Sequence, residues 1–157
     1  FAQKLQGQLV TRARAPVFFQ AFAVPDSFDG RFDLTVLHAW LVLERLGAAN
    51  MRDVAQSLTD AIFTGFDEAL REQGISDMGM GRRMKSIADA FYGRLAVYSA
   101  SKDAAELAAA LARNLYRGGA GPAEALAAYA LGARAALAKA EIERGEADFG
   151  PLPEAGP

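Results

Sequence analysis

The run Gly74-Ile-Ser-Asp-Met-Gly-Met-Gly-Arg-Arg-Met-Lys85 gathers the residues best suited to do chemistry. Glycines at 74, 79 and 81 end one helical pattern and open another, because glycine permits backbone angles that a side chain forbids. Arg82, Arg83 and Lys85 follow directly, which predicts three cations at the start of a helix. Exposed cations there oppose the helix macrodipole by about 0.3–1 kcal/mol each. Two readings stay open. One is a solvated helix start whose charge is balanced locally, with Asp77 capping the helix or pairing with an arginine. The other is a basic corner that docks a partner.

The remaining reactive side chains are sparse. Asp29 with Asp33 and Asp67 with Glu68 are paired carboxylates, but nothing nearby in the sequence gives any of them a reason for a raised pKa. His38 is the only histidine, set in an apolar stretch. It reads as a core histidine with one satisfied nitrogen, since no second histidine exists to complete an ordinary catalytic or metal site. Gly79-Met80-Gly81 is half of a phosphate loop, lacks a third glycine and follows no strand. No P-loop, His-Glu-x-x-His or Gly-x-Ser-x-Gly motif occurs. The chain therefore reads as a non-enzyme without catalytic residues, metal or cofactor.

Binding is the better fit. A nucleic-acid or ribosome contact needs a basic surface interleaved with aromatics, for which Arg82, Arg83, Lys85 and Arg94 with Tyr92 are the candidates. An apolar polypeptide needs an adaptable lining, and Met78, Met80 and Met84 surround the glycine turn. The same methionines also serve as ordinary core fillers.

Bulk properties bound these options. The 157 residues suffice for one domain with a real core. Hydrophobic residues make up 52% and charged residues 23%, which excludes a disordered chain. The net charge of −2 gives no global attraction to nucleic acid or anionic lipid, so only a local patch provides one. There is no cysteine, hence no disulfide, thiolate metal site or thiol nucleophile. No apolar run reaches the roughly 18 residues needed to span a bilayer. The opening residues show no secretory pattern, and a start at Phe1 is compatible with a removed leader or a longer N-terminal segment.

The elements that must position these groups are all helical. Residues 1 to about 14 place Leu5, Leu9 and Val10 on one face, and Pro16 opens a short helix over 17–22. The stretch 34–46 is apolar almost all around, as in the central helix of a bundle. Asp29 or Asp33 is expected to cap it and Gly47 to end it. Asn50 is expected to cap a long helix over 51–73, on which Asp67 and Arg71 pair across one turn. A helix over about 82–100 carries Met84, Ile87, Phe91, Leu95 and Tyr98 as its buried stripe. Gly93 in its middle, at about 1 kcal/mol against alanine, suggests close approach by another helix or by a partner. Asp103 caps a helix over 104–116, a flexible Arg117-Gly-Gly-Ala-Gly break follows, and an alanine-rich helix begins after Pro122. From about Gly145 the chain reads as a flexible tail to 157. The expected fold is a single all-α domain over 1–144, an orthogonal or irregular bundle of six or seven helices.

Three blocks in order, Phe28-Asp-Gly-Arg-Phe-Asp33 with its following helix, Gly74 to Lys85, and Phe91-Tyr-Gly-Arg94 with Tyr98, resemble the ubiquinol–cytochrome c chaperone family. The resemblance covers about 28–98; the flanks match only in helical character. It implies an all-helical assembly factor of the cytochrome bc complex. Its expected partners are cytochrome b or another apolar membrane-protein segment, the ribosome, and a small partner protein, without sequence-specific nucleic acid. The implied place of work is the cytoplasm at the inner face of a bacterial membrane, or the matrix side in mitochondria. A peripheral lipid-surface binder is the alternative. The family supplies no catalytic residues. Asp77, Arg82, Lys85 and Arg94 are the contacts carried over, and the reading from residues adds Met80, Arg83 and Tyr92, while Asp33 and His38 are expected to be structural.

Overall fold

The computed structural model describes residues 1–154. They form seven α-helices and one short 3-10 turn: α1 Ala2–Ala13, α2 Pro16–Gln20, α3 Phe28–Ala48, α4 Arg52–Glu72, α5 Asp77–Ala100, α6 Ala104–Asn114, α7 Ala123–Lys139 and the 3-10 turn Ile142–Arg144. No strand occurs among the described residues, and the fold is the expected single all-α domain.

α3 is the axis of the bundle. Every residue from Phe32 to Val42 is buried, because α3 packs against α1, α4, α5 and α7 together. A helix apolar on all sides has no other stable place. α6 closes one flank by packing on α7 and α5.

The start of α3 differs from expectation. Ser27, not an aspartate, caps it: the Gly30 amide donates to Ser27 Oγ at 3.2 Å. Gly30 itself is required by a close approach, since a Cβ there would stand 1.9 Å from the Pro25 carbonyl oxygen. Asp29 and Asp33 are thereby freed for ion pairing. At the other end α3 runs through Gly47 to Ala48, and Asn50 takes a left-handed φ of 58° instead of capping α4. Asparagine tolerates that conformation better than most side chains.

The break between α4 and α5 is shorter than the glycines suggest. Gly74, at φ 89°, makes the left-handed turn alone. α5 then begins at Asp77, so Gly79 and Gly81 are helical residues and Arg82 lies beyond the first turn. The acid at the helix start is Asp77, which suits the macrodipole, while the field has largely decayed at Arg82. The expected cost of cations at a helix terminus is therefore absent.

The end of the described chain is docked. Gln8 Nε2 donates to the Gly145 carbonyl at 2.8 Å, Arg12 Nη2 to that of Gly150 at 2.7 Å, and the Ala147 amide to Gln8 Oε1 at 2.7 Å. Phe149 is 3% exposed and meets the His38 ring edge-on at 5.4 Å. The flexible tail expected from Gly145 onward is thus a strap over α1 and α3 through Gly150, fastened by backbone acceptors that no periodicity reveals; 155–157 lie outside the described residues.

Candidate docking site

α5 divides the candidate residues by helical angle. Met80, Ile87, Phe91 and Tyr98 are buried on one side, three or four residues or their multiples apart. Arg94 lies on that same side, three residues after Phe91 and four before Tyr98. Met78, Arg82, Lys85, Asp89, Tyr92 and Gly93 occupy the opposite, exposed side.

Two candidates therefore leave the surface. Met80, 5% exposed, is a core residue. Arg94 turns inward with a side chain 13% exposed: its Nε stands 3.2 Å from Asp33 Oδ1, its Nε and Nη2 donate to the Asn114 carbonyl, and its guanidinium lies over the Phe32 ring at 5.6 Å. Asp33 is 1% exposed and is completed by Arg117, whose Nε approaches Oδ2 at 3.0 Å while Nη1 reaches Asp29 at 3.3 Å. Burial pushes the Asp33 carboxyl up to about 6, against the opposing pull of Arg117 and Arg94. At neutral pH it remains the acceptor that ties α3, α5 and the segment after α6 together. The two arginines and two aspartates form a structural clamp. Arg117, read from sequence as part of a flexible break, is its missed member. The signal was a buried acid needing a cation.

His38 is likewise structural, with both nitrogens satisfied. Nδ1 donates to the Leu34 carbonyl at 2.8 Å, since that oxygen can only accept, and Nε2 accepts from the Tyr129 hydroxyl at 2.8 Å. Burial lowers its pKa to about 4.

What remains on the outer side of α5 is a basic corner flanked by apolar groups. Arg82, Arg83 and Lys85 are exposed, and none makes an ion pair among the described residues. Of the two roles expected for Asp77, capping the helix or pairing with an arginine, it takes the second: it is held by Arg71 of α4, and no described side chain caps the start of α5. Arg83 lies over the Phe28 ring at 5.8 Å. Met78 is 96% exposed and Tyr92 53% exposed, the latter stacked on Phe63 with centroids 6.0 Å apart. Among the described residues nothing lies within 4 Å of a Cβ built at Gly93, so no described helix explains that glycine. The three methionines separate: Met78 outside, Met84 half-buried, Met80 inside. No group of metal-binding side chains occurs among the described residues, and no described helix is long and apolar enough to cross a membrane.

Comparison with known proteins accords with this architecture. The family model described as "Ubiquinol-cytochrome C chaperone" matches residues 20–145. The crystal structure of the Cbp3 homolog from Brucella abortus is similar, with a TM-score of 0.85 and 35% sequence identity over 96% of this chain and 88% of that one. No curated protein matches significantly. With most of its helices inside the matched region, the chain belongs to the ubiquinol–cytochrome c chaperone family.

Proposed function

We propose that this protein is a non-enzymatic assembly factor for the ubiquinol–cytochrome c reductase complex, and that it holds an apolar membrane-protein segment, with cytochrome b as the first candidate, at the outer face of α5. Family membership supports the chaperone role. The observation that carries the site is the coincidence on one helix of three cations without acidic partners, Arg82, Arg83 and Lys85, with exposed Met78 and Tyr92. A flexible thioether and an amphipathic ring accept varied apolar side chains, and the cations suit acidic residues or backbone carbonyl ends flanking such a segment. Asp77 belongs to the edge of this surface, fixed by Arg71. A client of this chemistry enters a bilayer, which supports a role beside the membrane.

The test is charge reversal. Arg82→Glu, Arg83→Glu and Lys85→Glu together change the corner by six charges while touching no ion pair of the fold. Capture of newly made cytochrome b in cells expressing the variant is expected to fall at least tenfold, with the thermal midpoint nearly unchanged. Undiminished capture overturns the proposed site. Salt-sensitive flotation with anionic liposomes in the absence of any protein client favours a lipid-surface role instead.

A further inference from the structure

A groove of about 970 Å³ runs along α1, walled on its other side by the strap that follows the 3-10 turn. Ala15, Pro16, Ala147, Phe149 and Leu152 make its base apolar. Lys4, Arg12 and Arg14 stand around that base, and the lining contains no aspartate or glutamate. The charge segregates for two reasons. The first 25 residues of the chain hold these three cations and no acid. Along the strap, Glu146 and Asp148 are exposed while Ala147 is half-buried and Phe149 buried, so the acids alternate away from the groove.

None of the three cations has an acidic partner among the described residues. Arg12 is spent on neutral groups: it donates to the Gly150 carbonyl at 2.7 Å and lies over the Phe149 ring at 5.5 Å. Lys4 and Arg14 are exposed, and their ten-residue separation on α1 corresponds to about 15 Å. Between them the outward stripe of α1 is Gly7 and Thr11, at spacings of three and four residues. Gly7 has no explanation within the fold, since nothing among the described residues lies within 4 Å of a Cβ built there. A glycine inside a helix weakens it relative to alanine, and what it offers in return is close approach by another backbone.

We propose that this groove docks an acidic amphipathic α-helix of a partner polypeptide, which crosses α1 at Gly7, lays its apolar stripe on the base and sets carboxylates beside Lys4 and Arg14. Unpaired cations around an apolar base are the electrostatic complement of such a helix. Leu152, 46% exposed, offers the base a free apolar contact. A helix fits better than an extended peptide, whose backbone would need partners: Gln8, the amide side chain in the lining, already spends both its groups on the strap. A small molecule would stay largely in water, because the groove is open along its length. Nucleic acid would find no exposed ring to stack on, Phe149 being buried. The groove shares no residue with the outer face of α5, so it does not depend on the docking function proposed above.

The probe is a labelled peptide of about 14 residues, roughly 21 Å as a helix, with leucines three and four residues apart, alanines between them and glutamates in its first and last turns. Its twin carries lysine for every glutamate. Fluorescence anisotropy with the full chain is expected to show one-to-one binding of the acidic peptide and at least about tenfold weaker binding of the twin. Lys4→Glu with Arg14→Glu is expected to invert that preference. Gly7→Gln, which blocks the crossing point, is expected to weaken the acidic peptide about tenfold. Neither variant breaks an ion pair of the fold, and neither is expected to lower the thermal midpoint. The α5 variant Arg82→Glu, Arg83→Glu, Lys85→Glu is expected to bind the acidic peptide as the wild type does. Absence of binding, equal affinity for the twin, or binding that survives either α1 variant overturns the proposal. So does binding lost only in the α5 variant, which puts the peptide on α5, and so does recruitment to phosphatidylglycerol vesicles without peptide binding, which reports a lipid surface.

Discussion

Asp33 and His38 are the two buried groups whose ionisation matters most, and they respond to acid in opposite directions. His38 has its folded pKa depressed to about 4 from 6.5. The unfolded chain therefore binds more protons between those values, and the stability contributed by neutral His38 is lost as pH falls from 6.5 toward 4. Asp33 has its folded pKa raised from 3.8 to about 6, so its contribution is present at low pH and declines as pH rises from 3.8 through 6. Over pH 4–6 the two slopes oppose one another. Urea unfolding of the protein and of His38→Gln, in which Asp33 is unchanged, separates them: the stability advantage of the wild type is expected to shrink steadily from pH 6.5 to 4. A constant advantage refutes a neutral buried imidazole. Arg94→Met tests the clamp at neutral pH. It leaves Asp33 buried beside Arg117 alone, and breaking such a pair typically costs roughly 3–5 kcal/mol. Equilibrium unfolding is expected to show a loss of this order, whereas Lys85→Glu on the open side of the same helix is expected to stay within about 0.5 kcal/mol.

The glycines give the sharpest contrasts between elements. Gly30 sits in α3 where a Cβ would meet the Pro25 carbonyl oxygen at 1.9 Å, so Gly30→Ala must displace the loop that enters the central helix. Gly121 is similar, because a Cβ there would lie 2.2 Å from the Tyr116 ring, whose hydroxyl donates to the buried Phe22 carbonyl. Gly93 is the reverse case, open on all sides. Gly93→Ala is expected to stabilise by about 1 kcal/mol through helix propensity, and Gly30→Ala to destabilise, both read from the thermal midpoint. If Gly93→Ala stabilises the fold and still weakens client capture, the backbone approach at that position belongs to the partner. The spacing within α5 held more than the glycine pattern did. Arg94 and Met80 fall on the same repeat as Ile87, Phe91 and Tyr98, which marks them as inward residues. The start of α5 was masked because glycines that punctuate a sequence can also be ordinary helical residues when packing elsewhere sustains the helix.

At the scale of the whole molecule, the central helix is held by elements far away in sequence. The strap 145–150 covers His38 through Phe149 and ties to α1. Deleting 146–154 is expected to remove at least the burial of Phe149, about 1.5–3 kcal/mol, and to raise the His38 pKa toward its ordinary value as water reaches the ring. Thermal unfolding and the imidazole proton resonance measure the two effects; a normal midpoint and an unshifted titration would mean the strap only decorates the surface. Arg45 repeats the theme, donating to the Leu137 carbonyl at 2.7 Å and so binding the end of α7 to α3.

The amino-acid sequence by itself determined the helical class, the central place of α3 and the buried stripe of α5, because these follow from local periodicity and from the absence of any polar face along 34–42. It also carried the family likeness in three spaced blocks. The tertiary structure alone decided which cations are spent and which are open. Arg82, Arg83, Arg94 and Arg117 are the same residue type, and their difference is whether a buried carboxylate lies within about 3 Å. Asp33 supplies that carboxylate from a distant stretch of chain, and no arrangement of neighbours along the sequence encodes its distance.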